Sequence, residues 1–219
     1  MDIRKIPLFI RKLKFKRKKV LNRDISIISN NCTGGVMYHD LGLCFNSPTI
    51  NLYFATLEEF YLYCKNIKQY SEYGELIKAD KAEKKVDFPN APIGLLKCKN
   101  LPSLEIHFLH YKSFDEAKDK WIERTKRINY KKIFVVIEAV NENAAKLEIF
   151  EKLNYPIVAF TNKDIDLSFA KNMKFYKKYG ADEKHPILKL VNIFGKRGYD
   201  SYNFVDEIFN YNFNREVEK

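Results

Sequence analysis

The sequence predicts an α/β protein, a three-layer α/β/α arrangement around a mostly parallel or mixed sheet, preceded by a basic amphipathic N-terminal helix. Three observations carry this. From Arg23 onward short apolar runs alternate with amphipathic stretches, the order that builds strand–helix–strand units. One run, Ile133-Phe134-Val135-Val136-Ile137, has no polar position, as a strand covered on both faces requires. Helix starts are marked by Thr56 with Glu59 and by Ser113 with Glu116, where a hydroxyl and a carboxylate three residues apart satisfy two free amide groups reciprocally.

Taken in order, the first element is a leader of residues 1–22. Pro7 stands where a helix can begin, and Phe9, Ile10, Leu13, Val20 and Leu21 recur at roughly helical spacing among lysines and arginines. Residues 1–23 hold ten basic side chains and one acidic one, Asp2, so +9 of the formal net charge of +11 belongs to this segment. The body is close to neutral. Nucleic acid is therefore not the expected partner. A basic amphipathic helix fits an anionic membrane surface, where each basic residue contributes about 1 kcal/mol; packing on its own domain is the competing expectation.

A single domain, 23–219, follows. Ile25 to Ile28 is a short strand that stops at Ser29, Asn30 and Asn31. Thr56 opens a helix burying Phe60, Cys64 and Ile67, and the charged stretch Tyr73 to Pro92 reads as irregular surface or a short hairpin. Leu104 to Phe108 is a strand whose alternation sends Leu104, Ile106 and Phe108 to one face and Glu105 and His107 to the other. Ser113 opens a helix burying Phe114, Ala117, Trp121 and Ile128. The run from Ile133 stops at Glu138, and a third strand, Tyr155 to Phe160, stops at Thr161, Asn162 and Lys163. Asp200 or Ser201 is placed to cap a last helix carrying Phe204, Val205 and Ile208.

A composition of 46% hydrophobic and 15% aromatic residues excludes a disordered chain. The four cysteines form no CxxC pair, which fits reduced thiols in the cytoplasm, and no apolar run reaches the length of a membrane span. GxxxxGK[ST] and GxGxxG are both absent, so a P-loop ATPase or a dinucleotide-dependent dehydrogenase is not expected.

The polar groups that end the strands are the candidate site, because open α/β sheets bind ligands at the carboxyl ends of their strands. If the strands are parallel neighbours, Ser29, Asn30, Asn31, His110, Glu138, Asn162 and Lys163 converge on one crevice. Gly34 and Gly35, after Asn31, permit close approach of a ligand to the backbone. Glu105 beside His107 is the candidate catalytic pair: a carboxylate raises the basicity of an imidazole and fixes its orientation, as a general base acting on a hydroxyl requires. Arg124 flanks the buried stripe of its helix and offers a planar fork to a phosphate or carboxylate. Asp164-Ile165-Asp166 has the Asp-x-Asp form that many metal-dependent sugar transferases use. So short a triplet recurs by chance and Asp166 serves equally as a helix cap, so no metal is assigned, and the cofactor is left unknown.

Several of these strings resemble an uncharacterised bacterial family, a domain of unknown function whose members are often labelled exopolysaccharide-biosynthesis proteins. The resemblance spans most of the chain from about Arg23. It is carried by ISNNC (Ile28 to Cys32) with Gly34 and Gly35 behind it, NSP at Asn46 to Pro48, PIGLL at Pro92 to Leu96, EIHFLHY from Glu105, RIN at Arg127 to Asn129 and FGKR from Phe194. It implies sugar chemistry: a glycosyl- or acyl-transferase of capsule or exopolysaccharide assembly, with a sugar or nucleotide sugar as ligand, peripheral at the cytoplasmic face of the cell membrane. The alternative is a non-catalytic carbohydrate- or nucleotide-binding module of an assembly complex.

Overall fold

The computed structural model describes residues 6–83, 88, 90–140, 142–161, 165–166, 168–171, 173–177, 187–190, 192 and 194–216. The chain runs α1 (Ile6–Lys16), β1 (Ser26–Ser29), α2 (Thr33–Leu41), β2 (Leu52–Phe54), α3 (Leu57–Lys65), α4 (Ile67–Tyr73) and β3 (Glu75–Ala79). It continues through β4 (Ile93–Lys97), β5 (Leu104–Phe108), α5 (Phe114–Thr125), β6 (Ile133–Ala139), α6 (Ala144–Glu148), β7 (Ile157–Thr161) and β8 (Met173–Lys177), and closes in short 3-10 and π turns.

The α/β class holds, with one change to its plan. The strands form two sheets: a parallel one in the order β1-β6-β7-β8 and an antiparallel one in the order β2-β5-β4-β3. Alternation along the parallel strands feeds two cores. Ile28, Val135, Ile137 and Ala159 enter the first, which also takes Phe60 and Tyr63 of α3, Tyr70 of α4, Trp121 of α5 and the inner face of the antiparallel sheet, including Leu104, Ile106 and Phe108. Ile27, Phe134, Val136 and Val158 enter the second, with Phe15 of α1, Met37 and Tyr38 of α2 and Phe204 and Phe209 near the C-terminus. This two-sided burial is why β6 has no polar position before Glu138.

The caps on α3 and α5 form as their spacing requires: the Thr56 side chain accepts from the Glu59 amide and Ser113 from that of Glu116. The charged stretch after Tyr73 supplies β3, hydrogen-bonded antiparallel to β4. At the other end of the chain Asp200 sits in a 3-10 turn, and the segment carrying Val205 and Ile208 is one turn of π-helix.

The leader helix is docked by its single inward charge. Arg11 is 1% exposed. Its Nε donates to Asp40 Oδ2 at 2.6 Å, Nη2 to the Tyr199 hydroxyl at 3.0 Å and Nη1 to the Gly195 carbonyl at 2.8 Å, with Asp200 taking a further bidentate contact. Phe15, one turn on, is buried beside it. The opposite face of α1 leaves Phe9 and Leu13 exposed, and Leu8, near its start, is exposed as well. No helix among the described residues is long and apolar enough to cross a membrane.

Truncating Arg11 leaves Asp200 without its cation and Asp40 with Arg197 alone, whose Nε is 3.2 Å from Asp40 Oδ2, and breaking a buried ion pair in this way typically costs about 3–5 kcal/mol. Urea unfolding of Arg11→Ala is expected to show a loss of that order, with Arg11→Lys intermediate. A loss under about 1 kcal/mol would mean that the clamp does not hold the leader.

Candidate functional site

The site is built where β1 and β6 end. Past the last paired residue of β1, the Asn30 side chain extends the ladder: its Nδ2 donates to the Glu138 carbonyl at 3.0 Å and its Oδ1 accepts the Glu138 amide at 2.9 Å. The Asn30 carbonyl accepts from the Phe54 amide at 3.1 Å, so the same residue ties the parallel sheet to β2 of the antiparallel one. Asn31 then divides its amide group. Its Oδ1 accepts the Thr33 amide at 3.0 Å, opening α2, and its Nδ2 donates to the Glu138 carboxylate. Both asparagines are committed to presenting Glu138.

Glu138 and the two asparagines line one lobe of a two-lobed cleft. This small lobe has a volume of about 170 Å3 and is also bounded by Phe54, Thr56, Val140 and Glu142. The large lobe, about 500 Å3, is walled by Cys32, Phe108, His110, Tyr111, Pro92 and Leu188. Asn31, Tyr53 and Phe88 border both. The Tyr53 and Phe88 rings lie 6.1 Å apart at 57°, forming the aromatic divide.

β5 is not a neighbour of the other site strands. It pairs with β2 and β4, and Tyr53, His107 and Ile93 stand side by side across the antiparallel sheet. The crevice forms nevertheless, because Asn30 brings β2 to the end of β1 and the turn after β5 enters from the far side. That turn depends on His110, which holds a left-handed backbone at φ 64°, a conformation uncommon outside glycine and costly enough to mark a position under constraint. It places His110 and Tyr111 together on the wall of the large lobe.

The expected pair exists: His107 Nε2 and Glu105 Oε1 are 2.6 Å apart, and Glu105 Oε2 accepts the Glu83 amide at 2.7 Å. His107 is 0% exposed and its ring stacks on Tyr53 at 4.6 Å and 15°. The pair thus meets the cleft through Tyr53 and lines neither lobe itself. With Nε2 facing a carboxylate, the hydrogen-bond network assigns the proton to Nε2, and Nδ1 has no hydrogen-bond partner.

Other expected residues serve the frame. Gly34 lets α2 close on β1: a Cβ there would stand 2.9 Å from Ile27 Cγ2 and 3.1 Å from Ser29 Cβ. Gly35 packs on Ile50, and Ser29 is fully buried, its amide donating to Thr49 Oγ1. The three face the interior, so the expected glycine cradle for a ligand is a helix-packing device. Arg124 is buried and spends its fork on the Tyr111 hydroxyl, with its guanidinium 5.2 Å from the Phe45 ring centroid. Its contact with the large lobe also runs through another residue, since the Tyr111 hydroxyl donates to the Ile50 carbonyl at 2.9 Å. Asn162, Lys163 and Asp164 lie outside the described residues; Asp166 accepts the Ser168 amide at 3.0 Å as a turn cap. Among the described residues no group of three or more His, Cys, Asp or Glu side chains is placed to hold a metal.

Sequence reasoning missed the aromatic wall. Tyr53 had a signal in Leu52-Tyr53-Phe54, where two inward apolar residues flank one that must face outward; Phe88, in a charged segment, had none.

A family model described as "Domain of unknown function (DUF1919)" matches residues 5–212. An uncharacterized protein of Haemophilus influenzae is 30% identical over 195 residues, 86% of each chain.

Cys32 borders the large lobe, and burial with the nearby charge of Glu138 pushes its thiol from 9.0 up to about 12. It is a neutral thiol, not an activated nucleophile. Its alkylation by iodoacetamide, followed by mass spectrometry, is expected to lag far behind that of exposed Cys44 and to rise about ten-fold per pH unit from about pH 7 to 10. A bend at about pH 9 with a plateau by about pH 10 would mean an ordinary, accessible thiol.

Proposed function

This chain belongs to the DUF1919 family, and on that premise we propose that it handles saccharides in surface-polysaccharide assembly, as a glycosyl- or acyl-transferase working at the cytoplasmic face of the membrane. The observation that carries the reading is the pairing of walls in the cleft. The rings of Tyr53 and Phe88 border both lobes and that of Tyr111 the large one, and the polar residues Asn31 and Glu138 border the small lobe beside Tyr53 and Phe88. A sugar ring has the complementary shape: its C–H faces carry slight positive charge toward the negative faces of aromatic rings, and its hydroxyls need donors and acceptors at the rim. The large lobe falls within the range of about 300–1,000 Å3 typical of ligand pockets.

In this reading Glu105 and His107 hold the aromatic wall. His107 supports the Tyr53 ring from behind, and Glu105 keeps the imidazole oriented. Their catalytic use requires Tyr53 to move aside. The complete burial of His107 favours a second reading, a non-catalytic saccharide-binding module in which the pair only stabilises the platform.

The outward face of α1 supports membrane association. Phe9 is 55% exposed and Leu13 51%, between Lys12, Lys14 and Lys16, which are also exposed. With Arg11 and Phe15 turned inward, the helix can rest on an anionic bilayer without leaving the domain.

Three outcomes are expected. A thermal-shift screen with monosaccharides, nucleotide sugars and coenzyme A thioesters stabilises the wild type, by about 2.7 kcal/mol for a ligand at 100 times its Kd, and Tyr53→Ala abolishes the effect. His107→Ala that keeps wild-type turnover of an identified substrate removes the catalytic role. The wild type cosediments with vesicles containing phosphatidylserine but not with phosphatidylcholine alone, and Phe9→Glu with Leu13→Glu abolishes this. Equal binding to both vesicle types, or none, would count against the membrane role.

A further inference from the structure

We infer that His110 is the general base of the cleft, the group that takes the proton of the acceptor hydroxyl when a glycosyl or acyl group is transferred to it. This rests on the transferase reading above and moves its proton-handling role from His107 to His110. Three observations carry the inference.

The first is position. His110 is exposed and borders the large lobe, whereas His107, three residues earlier, is 0% exposed and lines neither lobe. A base must come within about 2.6–3.2 Å of the proton it removes. A ligand in the large lobe meets His110 directly, and it meets His107 only through the Tyr53 ring stacked on the imidazole.

The second is what else borders that lobe. Among the described residues its ionisable side chains are Cys32, Tyr53, His110 and Tyr111. Burial and the charge of Glu138 push the Cys32 thiol up to about 12, and burial raises the Tyr111 phenol above its ordinary value. A phenol ordinarily ionises at about pH 10, whereas an imidazole is the side chain suited to exchanging a proton near neutrality. The charged groups around this wall are engaged elsewhere: Arg124 donates to the Tyr111 hydroxyl, Glu116 accepts the Lys112 amide, and Glu138 borders the small lobe. Of the side chains that reach the large lobe, His110 is the one whose chemistry fits a base.

The third is the backbone. At φ 64° the turn would be better served by glycine, and the other non-glycine residues with positive φ among those described, Asn51 and Asn100, are asparagines, whose short amide tolerates this conformation. The fold holds the strained residue from both sides. Before it, the Phe108 amide donates to the Pro92 carbonyl at 2.8 Å; after it, the Tyr111 hydroxyl donates to the Ile50 carbonyl at 2.9 Å and accepts from buried Arg124. Strain kept in place by a rigid surround is the mark of a side chain used for its chemistry, and it gives Arg124 a task, fixing the residue next to the base.

In the transfer itself, the acceptor oxygen bonds to the electrophilic carbon of an activated donor, the anomeric carbon of a nucleotide sugar or the carbonyl carbon of a coenzyme A thioester. Its proton passes to an imidazole nitrogen of His110. The bond from that carbon to the leaving phosphate oxygen or sulfur breaks, and the leaving group keeps the electron pair. The imidazolium then gives the proton to the leaving group or to water, which restores the base.

The test uses the purified full chain with UDP-glucose, UDP-galactose, UDP-N-acetylglucosamine and acetyl-coenzyme A as donors, glucose and N-acetylglucosamine as acceptors, and magnesium in the buffer. Released UDP or coenzyme A is read across about pH 5 to 9. The wild type is expected to turn over at least one donor, with kcat/KM rising from acid pH to a plateau. His110→Gln is expected to lose at least about 100-fold in kcat and to lose that rise, while His107→Gln keeps the rise. His110→Gly, which suits the backbone, is expected to lose the same activity with a Tm no lower than that of the wild type. A smaller loss in His110→Gln, a rise that persists in it, or a rise lost with His107→Gln overturns the inference and leaves the transferase reading standing. A lower Tm for His110→Gly also overturns it, because the histidine is then structural. If the wild type turns over no donor, the inference falls; Tyr53-dependent sugar binding in thermal shift then leaves the binding-module reading, and its absence removes both readings.

Discussion

The hydrogen bonds between Asn30 and the backbone of Glu138 are the constraint on which the cleft depends. They continue the β1–β6 ladder by side chain after the backbone of β1 has turned away, and the carbonyl left free by that turn is taken by Phe54 of β2. Parallel and antiparallel sheets have different hydrogen-bond geometries and cannot merge edge to edge without a break. Here the break is bridged by one asparagine. Since unpaired buried backbone groups cost about 1–3 kcal/mol each, a residue that serves a carbonyl and an amide with its side chain and a third group with its own carbonyl has no easy substitute. Aspartate would lose a donor, and serine could not reach both.

A second buried cluster solves a related problem at the opposite end of the chain. Arg11, Asp40, Asp200 and Tyr199 bring residues from α1, α2 and the C-terminal turns to one point. Burial works against the charge of Arg11, and its bond to Asp200 with the nearby Tyr199 and Asp40 outweighs this, so its pKa is raised. The energetic logic is that of a buried ion pair. It adds little net stability over an apolar contact but strongly penalises any register in which one partner is missing. The leader is thereby held in one orientation, with Arg11 and Phe15 inward and Phe9 and Leu13 outward. Packing on its own domain, the competing expectation for this basic amphipathic helix, is met through Arg11 and Phe15, and a second apolar face points outward.

How much of this was legible follows from what periodicity can report. Burial on two faces leaves a continuous apolar run, so β6 was plain; reciprocal caps leave a fixed spacing, so the starts of α3 and α5 were plain. The alternation of β5 was also correct: both faces are buried, but Leu104, Ile106 and Phe108 enter the apolar core while Glu105 and His107 pair on the other face. Which strand lies beside which is not a periodic property. Nothing in Leu104 to Phe108 says that its neighbours are Leu52–Phe54 and Ile93–Lys97 rather than β6. β3 lies in the charged stretch read as irregular surface or a short hairpin, and it is one arm of an antiparallel pair with β4. Gly34 and Gly35 illustrate a different limit. Glycine marks close approach, but sequence does not say of what, and the approaching groups are the side chains of Ile27 at Gly34 and Ile50 at Gly35.

The two carboxylates that sequence reasoning singled out, Glu105 and Glu138, end in opposite situations, and the contrast bears on how such sites are read. Glu105 receives the Glu83 amide and faces His107, so both of its oxygens have partners within the fold. A carboxylate satisfied in that way is a structural anchor, and its polarity is spent before a ligand arrives. Glu138 is held at its backbone by Asn30 and at its carboxylate by Asn31, and its side chain borders the small lobe. Glu105 and His107 meet the cleft through the Tyr53 ring that stacks on the imidazole. The more telling signal was the lone polar residue ending an otherwise unbroken apolar strand, because a central parallel strand has no structural need for a carboxylate at its carboxyl end.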